Sequence, residues 1–105
     1  MTDPTSEPFN LLTPSQSERL ALLLEELGEA QQAIGKILRH GYGSTHPDGG
    51  LTNREMLERE LGDVEAARTL MHLNMDIDAD LVMDARQDKL ERVAQYLHHQ
   101  PKMRP

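Results

Sequence analysis

Two short acidic runs hold the residues best suited to chemistry. Glu26-Leu27-Gly28-Glu29 is echoed downstream by Glu60-Leu61-Gly62-Asp63. Carboxylates three apart on a helix share one face, with Cβ atoms about 5–6 Å apart. Each pair interleaves with apolar positions: Glu26 and Glu29 flank Leu27, and Glu60 and Asp63 flank Leu61 and sit beside Val64. A single Glu-x-x-Glu is ordinarily solvated surface charge, as Glu58 and Glu65 are on the far side of the same helix. A matched pair of such motifs, each carrying a glycine at the same place, asks for another explanation. Glycine inside a helix costs about 1 kcal/mol relative to alanine, which predicts a close helix approach at Gly28 and Gly62. Helices crossing there would gather the carboxylates of Glu26, Glu29, Glu60 and Asp63 into one cluster. Their mutual repulsion requires protonation or a cation, and an all-oxygen donor set is what Mg²⁺ and Mn²⁺ prefer.

Basic residues extend the same face. Lys36 and His40 follow Glu29 at helical steps, and Arg39 is adjacent. Cations a turn or two from a metal cluster suit phosphate oxygens that the metal leaves uncovered, although basic residues at a helix C-terminus also complement its dipole. Lys89 and Arg92 form a second cationic pair, with Asp88 and Glu91 as surface partners. Other motifs fail on inspection. Asp76-x-Asp78-x-Asp80 starts like a calcium loop, but Leu81 stands where that loop needs glycine and Gln87 where it needs glutamate. His46 and His72 lack partners at ligand spacing, and His98 and His99 lie near the tail. There is neither a Gly-x-x-x-x-Gly-Lys phosphate loop nor a Gly-x-Ser-x-Gly elbow.

The elements that must position these groups read as helices. Residues 1–14 form a polar, proline-punctuated arm with Phe9, Leu11 and Leu12 as a small apolar anchor. Ser15-Gln16-Ser17-Glu18 fits a capping box. Behind it Leu20, Leu23, Leu27, Ala30, Ile34 and Ile37 recur at steps of three and four, a helix seam, and Gly41 is a plausible stop. Gly41–Leu51, with four glycines and a proline, is a loop. Thr52-Asn53-Arg54-Glu55 is a second capping box, opening a helix to about Asn74 with Leu57, Leu61, Val64 and Met71 inside. Asp76, Asp78 and Asp80 favour a third helix start by capping and by the helix dipole. Leu81, Val82, Ala85, Leu90, Val93 and Leu97 line its predicted buried side, and residues 100–105 form a tail. Nothing has strand periodicity, so the expected fold is all-α, with one domain over residues 15–99.

Composition narrows the classes further. The chain has 105 residues, no cysteine and a net charge of −7 from 11 basic and 18 acidic residues. The lack of cysteine excludes a disulfide scaffold, a zinc ribbon and a thiol nucleophile. The acidic balance disfavours a nucleic-acid polymer as partner but leaves open a nucleotide reached through a metal. No apolar run approaches the ~18 residues of a membrane span, nor does the N-terminus read as a signal peptide, so the expectation is a cytoplasmic protein with no membrane partner. With Phe9, Tyr42 and Tyr96 as its whole aromatic set, the core must be aliphatic. Three amphipathic helices make an incomplete bundle that a second copy could complete.

Taken together, Glu25-Glu26-Leu27-Gly28-Glu29 and Glu60-Leu61-Gly62-Asp63 resemble the paired acidic signature of the MazG-like all-α nucleoside triphosphate pyrophosphohydrolases. Lys36-Ile37-Leu38-Arg39-His40-Gly41, running into a glycine-rich loop, looks like the phage-type branch of that family. The resemblance covers roughly residues 18–97. It implies a homodimer or homotetramer whose helices complete a four-helix bundle, and Mg²⁺- or Mn²⁺-dependent hydrolysis of nucleoside triphosphates to monophosphate and pyrophosphate. By the same resemblance Glu26, Glu29, Glu60 and Asp63 are the metal ligands, and Lys89 matches a third-helix lysine that approaches phosphate. Two features depart from the family pattern. The interval between Glu29 and Glu60 is longer than usual, which points to an enlarged loop, and Gln87 stands where an asparagine is usual. The register of Arg92 against the pattern is open.

The expected chemistry is attack of an activated water on phosphorus, with Glu25 or a ligand such as Glu26 receiving its proton. Lys36, Arg39, His40, Lys89 and Arg92 would bind the phosphates. Tyr42 is the aromatic residue of the loop, available to stack on a base or to anchor the loop itself. A purine deoxynucleotide such as dGTP is preferred as substrate, though no residue argues for it. The alternative is a non-catalytic acidic helical interaction module, which gives no reason for two glycines in matched acidic motifs.

Overall fold

The computed structural model describes residues 9–101. Among them the chain forms α1 (Pro14–His40), α2 (Asn53–Leu73) and α3 (Ala79–Val93), followed by a 3₁₀ turn at Ala94–Tyr96. No strand occurs among the described residues; Thr45 and Thr52 make an isolated antiparallel bridge across the loop. The all-helical expectation holds.

Local chemistry explains the helix limits. The cap of α1 is Thr13, not the Ser15 box expected from sequence: its hydroxyl accepts from the Gln16 N–H, and the Gln16 side chain accepts from the Thr13 N–H. Pro14 then occupies the first helical position, where a missing N–H costs nothing. At the other end Gly41 takes a positive φ of 86° and returns its N–H to the Ile37 carbonyl at 2.7 Å. The Thr52–Glu55 capping box opens α2 as expected. Asp78 caps α3 by accepting from the N–H groups of Asp80 and Leu81. The helix ends at Val93, so Leu97 lies beyond both it and the 3₁₀ turn.

Helices α1 and α2 pack as an antiparallel pair whose buried residues are small or flexible: Ala30, Ala33, Ala67 and Met71. The alanines let the two backbones close, and Leu23, Ile37, Leu57 and Val64 of the predicted seam are half-buried beside them. Leu27 and Leu61 remain exposed, while Glu26, Glu29 and Glu60 are half-buried. The glycines play a different part from the one expected. A Cβ built at Gly28 or Gly62 meets nothing within 4 Å, so neither marks a tight crossing within the chain.

Helix α3 makes no extended packing with α1 or α2. Of its predicted buried residues, Val82 and Val93 are half-buried and Leu81, Ala85 and Leu90 are exposed; Leu97, beyond the helix, is exposed too. The expected N-terminal anchor is also absent, with Phe9 99 % and Leu11 73 % exposed and Leu12 half-buried. The physical reason is shared: amphipathic stripes have formed, but no second surface among the described residues covers them. The radius of gyration, 18.6 Å, exceeds the roughly 13 Å of a compact chain of about 100 residues.

The rest of the expected arm, residues 1–8, and the tail from 102 onward lie outside the described residues.

Candidate metal centre and adjoining groove

The antiparallel α1–α2 pair brings the two acidic motifs face to face. One carboxylate oxygen from each of Glu26, Glu29, Glu60 and Asp63 lies within 4.8 Å of the others. Opposed ligands of an octahedral Mg²⁺, at 2.0–2.1 Å each, stand about 4.2 Å apart. A small contraction of the cluster would therefore enclose such an ion. The oxygen atoms Oε2 of Glu26 and Oε2 of Glu60 are shielded from solvent and have no hydrogen-bond partner. An orphaned buried carboxylate oxygen is costly unless a cation or proton meets it.

The electrostatics follow the same lines. Burial raises the Glu26 carboxyl above its ordinary range, reinforced by the charges of Glu29, Asp63, Glu25 and Glu60. Glu60 is raised first by burial, then by the close carboxyl of Glu29 and by Asp63, with Arg59 opposing. These carboxyls hold protons unusually well, as groups do when positive charge is missing around them. Glu25 is exposed and lies outside the group of four, although its charge reaches Glu26. Glu58 and Glu65 are exposed on the other side of α2, where Glu65 pairs with Arg68.

Two connected hollows lead from the cluster toward the loop. The first, of about 270 Å³, is lined by Glu29, Gln32, Ala33, Lys36, Asn53, Met56 and Glu60. The second, of about 520 Å³, shares Lys36, Asn53 and Met56 and continues past Arg39, His40, Ser44, Thr45, His46, Pro47, Gly49 and Leu51. Lys36, Arg39 and His40 thus stand where the sequence argument wanted them. Lys89 and Arg92 do not: both are on the exposed α3, line neither hollow, and Arg92 is paired with Asp88 at 2.8 Å.

Gln32, Ser44, Thr45, His46, Asn53 and Met56 also line the hollows, with no site role legible for them in the sequence. Asn53 carried only a positional signal, since the capping box that opens α2 places it against the loop. Its side-chain amide donates to the Gly41 carbonyl at 3.0 Å, and its backbone N–H donates to the Ser44 carbonyl at 2.9 Å. Tyr42 lies outside the groove lining, beneath the Arg54 guanidinium at 4.9 Å from the ring centre, while its carbonyl accepts from the Arg54 N–H at 3.0 Å. Its part is to anchor the loop.

No protein-family model, curated protein or solved structure matches the chain. No helix among the described residues is long and apolar enough to cross a membrane.

Proposed function

We propose that this protein is a metal-dependent nucleoside triphosphate pyrophosphohydrolase of the MazG-like all-α kind, converting a (deoxy)nucleoside triphosphate to its monophosphate and pyrophosphate. The observation that carries the reading is the pair of orphaned, solvent-shielded oxygens on Glu26 and Glu60 inside a four-carboxylate cluster. A bland acidic surface has no need to bury unpartnered carboxylate oxygens, which disfavours the interaction-module alternative.

Glu26, Glu29, Glu60 and Asp63 would hold Mg²⁺ or Mn²⁺, whose bound charge polarises phosphate and acidifies water. The chain's own residues supply the remainder. Lys36, between the cluster and the groove, balances phosphate charge as a mobile point cation. Arg39 offers planar, paired N–H donors to phosphate oxygens. Glu25, solvent-exposed and next to Glu26 in the chain, would accept the proton that the attacking water loses. The half-buried setting of Glu26 and Glu60 keeps bulk water from screening these charges.

Oligomerisation belongs to the same proposal. The uncovered apolar stripe of α3 and the outward leucines of α1 and α2 would close a helical bundle in a homodimer or homotetramer. Lys89 and Arg92 would join a cluster only in such an assembly. The open space beside Gly28 and Gly62 fits a neighbouring helix supplied by another copy.

The test is a screen of common and modified ribo- and deoxynucleoside triphosphates with Mg²⁺ or Mn²⁺, with products resolved by chromatography. Monophosphate and pyrophosphate are expected from at least one of them. No monophosphate from any would end the proposal, and calorimetric titration of Mg²⁺ would then show whether the cluster binds metal at all.

A further inference from the structure

The connection between α1 and α2 contains a smaller closed loop. The Thr45–Thr52 bridge ties its two ends, and residues 46–51 lie between them. His46, Pro47, Gly49 and Leu51 of this loop form one wall of the 520 Å³ hollow. The chain turns at Pro47-Asp48, where the Gly49 N–H donates to the His46 carbonyl at 2.8 Å. Proline in the second place and glycine in the fourth are favoured in such a turn. Gly49 and Gly50 follow with φ of 89° and 107°, a region glycine enters at little steric cost.

The His46 ring holds the turn by a side-chain contact. Its Nδ1 accepts the Asp48 N–H at 3.1 Å, as an asparagine oxygen does in an Asx-turn. An accepting Nδ1 carries no proton, so the ring is neutral with its N–H at Nε2. The same Nδ1 lies 3.4 Å from the Asp48 Oδ2. Two partners of opposite character thus stand at one ring nitrogen: a backbone donor for the neutral ring and a carboxylate acceptor for the charged one. Histidine is the side chain whose charge ordinarily changes between about pH 5 and pH 8.

The surroundings decide which way protonation drives the ring. From α1, Lys36, Arg39 and His40 line the same hollow; from α2, Asn53 and Met56 do, and neither titrates. Asp48 is the carboxylate within reach. A charged His46 is therefore repelled by the α1 cations and drawn to Asp48. We infer that His46 is a pH-sensitive switch of the loop: when the ring takes a proton from solvent, Nδ1 releases the Asp48 N–H and donates to the Asp48 carboxylate, and the wall of the hollow re-forms. The Thr45–Thr52 bridge confines the rearrangement to residues 46–51. Solvent reaches both partners, whose side chains are 70 % and 92 % exposed.

The whole protein is followed by NMR between about pH 8 and pH 5, without metal or nucleotide, so the readout stands apart from the hydrolytic reading. At the upper end the ring nitrogens should show the Nε2–H form. As the ring gains its proton, solvent exchange of the Asp48 amide, corrected for pH, should quicken about fivefold, the loss of one neutral hydrogen bond. His46→Asn keeps a side-chain acceptor that does not titrate, and should hold the Asp48 amide equally well at both ends of the range. Asp48→Ala takes away the carboxylate, and protonating the ring should then need more acid than in wild type. An Nδ1–H ring at the upper end overturns the switch, as does an Asp48 amide response that persists in His46→Asn and so belongs to His40. A ring that titrates identically in Asp48→Ala and wild type overturns the carboxylate's part in it.

Discussion

Arg19 and Asp76, 57 residues apart in sequence, join through two hydrogen bonds: Nε donates to Oδ2 at 2.6 Å and Nη2 to Oδ1 at 3.0 Å. Their side chains are only 17 % and 10 % exposed. The pair clamps the N-terminal part of α1 to the turn after α2, and so holds the antiparallel register that sets Glu26 and Glu29 opposite Glu60 and Asp63. A paired, bidentate geometry of this kind is stronger than a surface ion pair.

Breaking that clamp should be costly. Asp76→Asn and Arg19→Gln are each expected to lower the melting temperature by several degrees, and the double variant by less than the sum. The Arg19 hydrogen bonds hold the Asp76 carboxyl below its ordinary value, against the opposing effect of burial. A carboxyl depressed on folding stabilises above its unfolded value, about 3.9, and that contribution disappears as pH falls through the folded value. Wild-type melting should therefore fall more steeply than that of Asp76→Asn below about pH 4. Parallel acid profiles for the two proteins would remove this role.

The acidic cluster should behave in the opposite sense. Glu26 and Glu60 are raised on folding, chiefly by burial. With folded values above the unfolded one, the folded state binds more protons in between. Their contribution to metal-free stability accordingly falls as pH rises from about 4.3 through the folded values. Glu60→Gln should melt a few degrees higher than wild type without metal at neutral pH, because it relieves repulsion. The same variant should bind Mg²⁺ at least tenfold more weakly and lose most of its metal-induced gain in melting temperature. An unchanged metal response would remove Glu60 from the ligand set.

Assembly can be tested on α3, where Leu81 is 66 % exposed. A charge at an exposed position normally alters monomer stability by no more than about 0.5 kcal/mol. Leu81→Glu should thus retain helicity yet abolish the proposed homo-oligomer, with wild type larger than the variant by light scattering. Activity should fall with the oligomer on dilution across the same concentration series. A fully active monomer would show that one chain builds the whole site.

Periodicity and capping chemistry made the three helices legible, together with the stop at Gly41, the Thr52–Glu55 box and the two acidic runs. These are local properties: a backbone donor meets a side chain three residues away, and a repeat of 3.6 decides which residues share a face. The convergence of Glu26, Glu29, Glu60 and Asp63 also followed from that repeat, although the reason first assigned to Gly28 and Gly62 did not survive. What a face meets is another matter. Only the folded chain turned Ala33 and Ala67 inward beside the expected Ala30 and left Leu27 and Leu61 outside, because helix approach depends on the volumes facing one another. It also took Asp76 from a helix start and gave it to Arg19, and brought His46 to Lys36 and Arg39. Each is an encounter between segments distant in sequence, decided by tertiary packing and loop geometry, for which residue spacing carries no signal.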